Sequence, residues 1–199
     1  MNAQDLMYVI DRIQSDKEHH RDRRNFHENY EWLEHFWRYK YKKGDNSIDD
    51  FITQKGQFYW NIKSIRVLAK EFASIECVGS NKDPDYAQTL MIAQATMYLR
   101  YICNLYDKDT PTCDTISCRE HKISKGHCTK SNALLWKKDF DPVFAFRALM
   151  FIVRQVRNNL FHGHKISVEP DLFKRNKVLV ELSAQVTEVL LTNLFESER

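Results

Sequence analysis

The sequence predicts an all-α protein, on three observations. Only 5 Gly and 4 Pro punctuate 199 residues, too few turn-formers for an all-β chain of this length. Apolar residues recur at intervals of three and four over several long stretches, which is the period of a helix face and not of a strand. Two Asp-Pro pairs, Asp83-Pro84 and Asp141-Pro142, place proline in a first helical turn, where its missing N–H costs nothing. The economical architecture is a single helical domain over residues 1–199, an antiparallel bundle because its connections are short.

The elements follow in order. From Asp5 to about Lys43 the apolar residues Leu6, Val9, Ile10 and Ile13, then Phe26, Tyr30, Leu33, Phe36 and Trp37, keep helical spacing around the polar run "QSDKEHHRDRRN". This pattern fits one long helix exposed in its middle, or two helices with a joint near His19–Arg24. Gly44 ends it. Ser47 to Asp50 has the capping-box pattern, a hydroxyl followed three residues on by a carboxylate. A second helix then carries Phe51, Ile52, Phe58, Tyr59, Ile62, Ile65, Ala69 and Phe72 on one stripe, with Gly79 as its stop.

Asp83-Pro84 opens a third helix with the stripe Ala87, Leu90, Met91, Gln94, Met97, Tyr98, Tyr101, Ile102 and Leu105. Residues 107–138 lose periodicity and form an irregular insertion containing Cys and His. Asp141-Pro142 starts a helix whose Val143, Phe146, Met150, Val153, Val156 and Leu160 hold a 3-4 spacing. After a polar loop from Gly163, a last helix runs from about Asp171 to Phe195, with Leu172, Leu179, Leu182, Val186, Val189 and Leu190 facing inward.

Composition removes several function classes. Hydrophobic residues at 43%, with 12 Phe, 9 Tyr and 4 Trp, exclude a disordered chain. A formal charge of +3 permits contact with phosphate without demanding it. "MNAQDLMYVIDRIQ" has no uninterrupted apolar core, so it does not read as a signal peptide, and no stretch approaches the roughly 20 apolar residues of a membrane span. The expected setting is cytoplasmic, with no membrane partner. Five cysteines, an odd count in a reducing compartment, point to free thiols or a metal site and not to a disulfide framework.

Chemistry concentrates in "VRQVRNNLFHGHK", Val153 to Lys165. Arg154, Asn158 and His162 are four apart and share a face of the helix, while Val153, Val156 and Leu160 face the core. Arg157 lies beside Asn158 around the barrel. Gly163 suits a left-handed position after the last turn, which puts His162 near the negative end of the helix dipole, where imidazolium is favoured. A histidine able to move protons, beside an arginine able to neutralise charge on phosphorus, is a minimal acid–base kit for a phosphodiester.

The hexad "RNNLFH", Arg157 to His162, resembles the R-x4-6-H motif of the HEPN superfamily, with Asn158 as the polar residue that often follows the arginine. The preceding apolar helix, the "HGHK" that follows and the closing amphipathic helix match as well. The resemblance is specific for about Val143 to Leu194 and architectural elsewhere. It implies a HEPN-like antiparallel bundle, a homodimer and a composite active site in which Arg157, Asn158 and His162 of both copies line one cleft. The implied activity is metal-independent endoribonuclease cleavage to a 2′,3′-cyclic phosphate, without a cofactor, in a toxin or anti-phage setting with a possible antitoxin or regulatory partner. Arg154, His164 and Lys165 become candidate RNA contacts. The alternative within the same resemblance is a non-catalytic dimeric binding or adaptor module.

Two further constellations carry less. Cys113, Cys118, His121, His127 and Cys128 are zinc-ligand types, but their spacing lacks a C-x2-C pair, and they read as free thiols and histidines of a basic loop with Lys122, Lys125 and Lys130. His27, Glu31 and His35 share a helix face and read as a polar stripe, not a metal ladder. Arg21, Arg23 and Arg24 are candidate phosphate contacts. Trp32, Phe36, Trp37 and Tyr39 read as packing residues.

Overall fold

The computed structural model describes residues 16–41, 47–75, 141–161 and 170–199, with Gln4, Met7, Ile10, Asp11, Ala95 and Leu99. Among the described residues every regular element is an α-helix: α1 (Lys17–Tyr41), α2 (Ser47–Asn61), α3 (Lys63–Ser74), α4 (Pro142–Phe161), α5 (Pro170–Thr192) and α6 (Leu194–Ser197). None of these helices is long and apolar enough to cross a membrane. The chain divides into two compact units, residues 1–51 with 156–199, and residues 52–155.

In the first unit α1 packs along α5. Asp16 starts α1: its Oδ1 accepts the backbone N–H of His19 at 3.0 Å, satisfying an otherwise orphaned donor of the first turn. The helix then runs unbroken through His19–Arg24, so of the two expected alternatives the one with a joint there is not seen. Its buried stripe is His19, Asp22, Phe26, Tyr30, Leu33 and Trp37, at intervals of three and four. The middle of the polar run is therefore not uniformly exposed, because His19 and Asp22 lie on the face turned to α5.

Across that face α5 buries Val180, Leu182, Val186 and Leu190 together with Ser183 and Thr187. Those two hydroxyls are satisfied within their own helix, Ser183 Oγ donating to Leu179 O at 2.7 Å and Thr187 Oγ1 to Ala184 O at 2.9 Å, so they enter the core without an orphaned donor. Aromatic edges complete the packing. Tyr30 meets Phe26 and Trp37 edge-on at 5.9 and 5.8 Å, and Trp37 meets Phe51 at 5.1 Å.

Of the aromatic residues expected to pack, Trp37 is 1% exposed but Trp32 and Tyr39 are 67% and 77% exposed. They fall outside the stripe that begins at His19. The last helix also differs from expectation. It breaks at Asn193, whose side chain donates to Val189 O at 2.7 Å, and Phe195 of the short α6 is exposed.

The predicted single helix from Ser47 is two, α2 and α3, separated by Ile62 in an extended conformation (φ −68°, ψ 124°). The break resets the phase. Ile52, Tyr59 and Trp60 are buried before it, and Ile65, Leu68, Ala69, Phe72 and Ala73 after it. One straight helix would turn Ile65 about 140° away from Trp60, so both stripes could not be buried together. Ala95 and Leu99, one turn apart and absent from the predicted third stripe, are fully buried; that stripe and the insertion 107–138 lie outside the described residues.

Asp141 Oδ1 caps α4 through the N–H groups of Val143 and Phe144 at 2.9 and 3.4 Å, as the Asp-Pro start predicts. Ala145, Phe146, Ala148, Leu149, Met150, Ile152 and Val153 of α4 are all buried, a wider apolar surface than one 3-4 stripe supplies. Tyr59 stacks on Phe146 at 5.5 Å and 12°.

Candidate functional site

The last turns of α4 carry the Arg-Asn pair of the hexad. Arg157 is half-buried, and its side chain meets residues of α1. On α1, Tyr30 and Glu34 are one turn apart and so share a face. Arg157 lays its guanidinium over the Tyr30 ring, 5.5 Å from Cζ to the centroid, a cation–π distance. One amino group, Nη2, donates to Glu34 Oε2 at 3.1 Å. The other, Nη1, makes a long contact of 3.4 Å to Asn158 Oδ1. The plane of the guanidinium is thus set by a ring beneath it and by acceptors at both terminal nitrogens.

Glu34 has a second partner. Arg38, one turn further along α1, donates from Nη2 to Glu34 Oε1 at 3.1 Å, in the favourable order of acid before base along a helix. One carboxylate therefore bridges two arginines through its two oxygens. Arg157 and Glu34 side chains are 26% and 28% exposed, whereas Arg38 is 60% exposed, so the inner ion pair is the less screened of the two.

The sequence singled out Arg157 and Asn158 and missed Glu34, Arg38 and Tyr30. The i,i+4 spacing of Glu34 and Arg38 is visible in the sequence, but many surface helices carry such a pair. What selects this one is the approach of a residue 123 positions away. Arg154 is exposed on α4. His162, His164 and Lys165 lie outside the described residues, as do Cys113, Cys118, His121, His127 and Cys128. Among the described residues no three His, Cys, Asp or Glu side chains converge to hold a metal ion; within the expected polar stripe, His27 Nε2 lies 3.5 Å from Glu31 Oε1.

The arginines proposed for phosphate divide. Arg21 is tied to Glu18 and Asp22, Arg23 is half-buried and Arg24 is exposed. A groove of about 250 Å³ between α1 and α5 is lined by Glu18, Asp22, Glu181 and Glu188 against the single cation Arg21, with amides from Asn25, Asn29 and Gln185. Its charge is wrong for a polyphosphate. Beside the hexad the Arg38–Glu34–Arg157 bridge presents its outer arginine to solvent, Arg38 being 60% exposed.

At the start of α1 a different cluster forms. Lys177 Nζ donates to Asp16 Oδ2 at 2.8 Å. That bond, with the His19 N–H, holds the Asp16 carboxyl below its ordinary value, and the same bond raises Lys177. His19 is 3% exposed; burial first, then the charge of Arg23, depress its imidazole, with Lys177 acting in the same direction and Asp16 and Asp22 opposing. Its Lys177–Asp16 bond ties α1 to α5.

Comparison with known protein families, with curated proteins and with solved structures finds no match to this chain.

Proposed function

We propose that the protein is a HEPN-type, metal-independent endoribonuclease, acting as a homodimer whose two Arg157–His162 hexads complete one cleft. The observation that supports this reading best is the held guanidinium of Arg157. A free arginine on a helix end samples many rotamers, while one fixed by Tyr30, Glu34 and Asn158 loses little further entropy on meeting a phosphate. In the reaction the 2′-oxygen attacks the adjacent phosphorus, the P–O5′ bond breaks, and the proton passes overall from the 2′-OH to the 5′-oxygen. His162 moves that proton as base or acid, and Arg157 neutralises the growing charge on the phosphoryl oxygens. Arg154, His164 and Lys165 contact the flanking phosphates. DNA, lacking the 2′-OH, is not cut.

The test is cleavage of RNA, tRNA included, by purified protein in EDTA, with products checked for 2′,3′-cyclic phosphate and 5′-hydroxyl ends. His162→Ala and Arg157→Ala are expected to abolish cleavage while remaining folded dimers. Arg157→Ala does not strand Glu34, because Arg38 still pairs with it. Wild-type protein inert toward RNA favours the second reading, a non-catalytic dimeric binding module. One observation favours that reading: an arginine already bound to a carboxylate is also what a purely structural ion pair looks like.

A further inference from the structure

We propose that Glu34 is the positioning residue of Arg157 in the proposed site, and that Arg38 keeps the site cationic; this rests on the ribonuclease reading above. The argument starts from charge. A carboxylate 3.1 Å from Arg157 would by itself cancel the charge that Arg157 offers to a phosphate. A second arginine at 3.1 Å on the other carboxylate oxygen leaves the triad with a net single positive charge. Glu34 can therefore hold the guanidinium without neutralising the site.

Geometry adds to this. Tyr30, the platform under Arg157, is 4% exposed and fixed by its aromatic neighbours, so it does not move aside. Arg157 is held from below by that ring and from one end by Glu34, while Arg38 reaches the same carboxylate from the solvent side. An incoming RNA phosphate meets two guanidiniums whose separation is set by the carboxylate between them. Arg157 supplies the oriented donor for the transition state, and Arg38 supplies attraction to the backbone. The roles predict an uneven split in kinetics: Glu34 acts mainly on kcat through Arg157, and Arg38 mainly on KM.

Steady-state cleavage of tRNA in EDTA is measured for the full chain as wild type, Glu34→Gln and Arg38→Ala, with circular dichroism confirming folding. Glu34→Gln is expected to lower kcat about 10- to 100-fold with KM within about threefold, since a transition-state donor has lost its orientation. Arg38→Ala is expected to raise KM about three- to tenfold and to flatten the salt dependence of KM, with kcat falling less than in Glu34→Gln because Arg157 keeps its orientation. Unchanged or faster turnover in Glu34→Gln overturns the proposal, faster turnover meaning that the carboxylate competes with RNA for Arg157. Should Glu34→Gln not fold, the exposed Arg38→Ala still decides the matter, because wild-type KM and salt dependence there overturn it. Wild-type protein that leaves RNA intact overturns the ribonuclease reading and this proposal together, a result distinct from an active enzyme indifferent to Glu34.

Discussion

Lys177 of α5 donates to Asp16 at 2.8 Å while the same carboxylate accepts the His19 N–H at 3.0 Å, so one side chain both caps α1 and ties it to α5. The two functions are separable. Lys177→Met leaves the cap in place and removes the Asp16 pair, whose side chains are 29% and 27% exposed, with the longer 3.8 Å contact to exposed Glu18; after solvent screening it is expected to cost about 0.5 kcal/mol. Asp16→Ala removes the cap as well, and is expected to cost about 1–2 kcal/mol. Asp16→Asn keeps a capping oxygen and falls between them. Urea denaturation of the three variants checks the order.

The same pair sets the acid and alkaline limits of its own contribution. Asp16 is held below its ordinary value, so its stabilisation is complete above about pH 4 and is lost as pH falls through the lowered value. Lys177 is raised, so its share is complete below about pH 10.4 and is lost as pH rises through the raised value.

His19 gives a pH response nearer neutrality. Its imidazole is depressed by burial and by Arg23, and it sits in the first turn of α1, where the helix dipole also disfavours a cation. The unfolded chain binds the proton first, so the contribution of neutral His19 is complete above about pH 6.5 and is lost as pH falls toward the depressed value. Thermal melts between pH 7.5 and about pH 5 should show falling Tm in the wild type. His19→Gln should flatten that slope relative to wild type. An equal slope in the variant assigns the response to another group.

Gly56 should behave against the usual helix rule. In an exposed helix Gly→Ala stabilises by about 1 kcal/mol. Here a Cβ on Gly56 would come within 3.3 Å of the Val143 Cα, with the Phe146 ring at 3.4 Å. Val143 is backbone held by the Asp141 cap, so it yields poorly. Gly56→Ala is expected to destabilise by about 1–2 kcal/mol, read as a lower urea midpoint at unchanged m-value.

Helix starts and inward stripes were legible because their causes are local. The Asp-Pro signal at Asp141 and the 3-4 spacing from Phe26 to Trp37 depend on residues within a turn or two, and the structure shows both. Legibility failed where a helix meets something distant in sequence. The break at Ile62 is a case: the apolar residues on either side fit one approximate stripe on paper, but packing buries them on two phases. Trp32 and Tyr39 are another, since aromatic character alone does not say which flank of α1 faces α5. His19 and Asp22 are the converse, polar residues buried because they continue the stripe of Phe26 and Tyr30.

Local sequence signals were enough for the helical class, for a helix beginning at Ser47 and for the capped start at Asp141, and they picked out Arg157 and Asn158 as the polar chemistry at the end of α4. Tertiary structure alone decided what Arg157 touches. Helical periodicity is carried by bonds between residues four apart, so a short window of sequence contains it. The Arg157–Glu34 pair joins residues 123 positions apart, and only the packing of the first unit, with the Tyr30 ring fixed in its core, brings them within hydrogen-bonding distance.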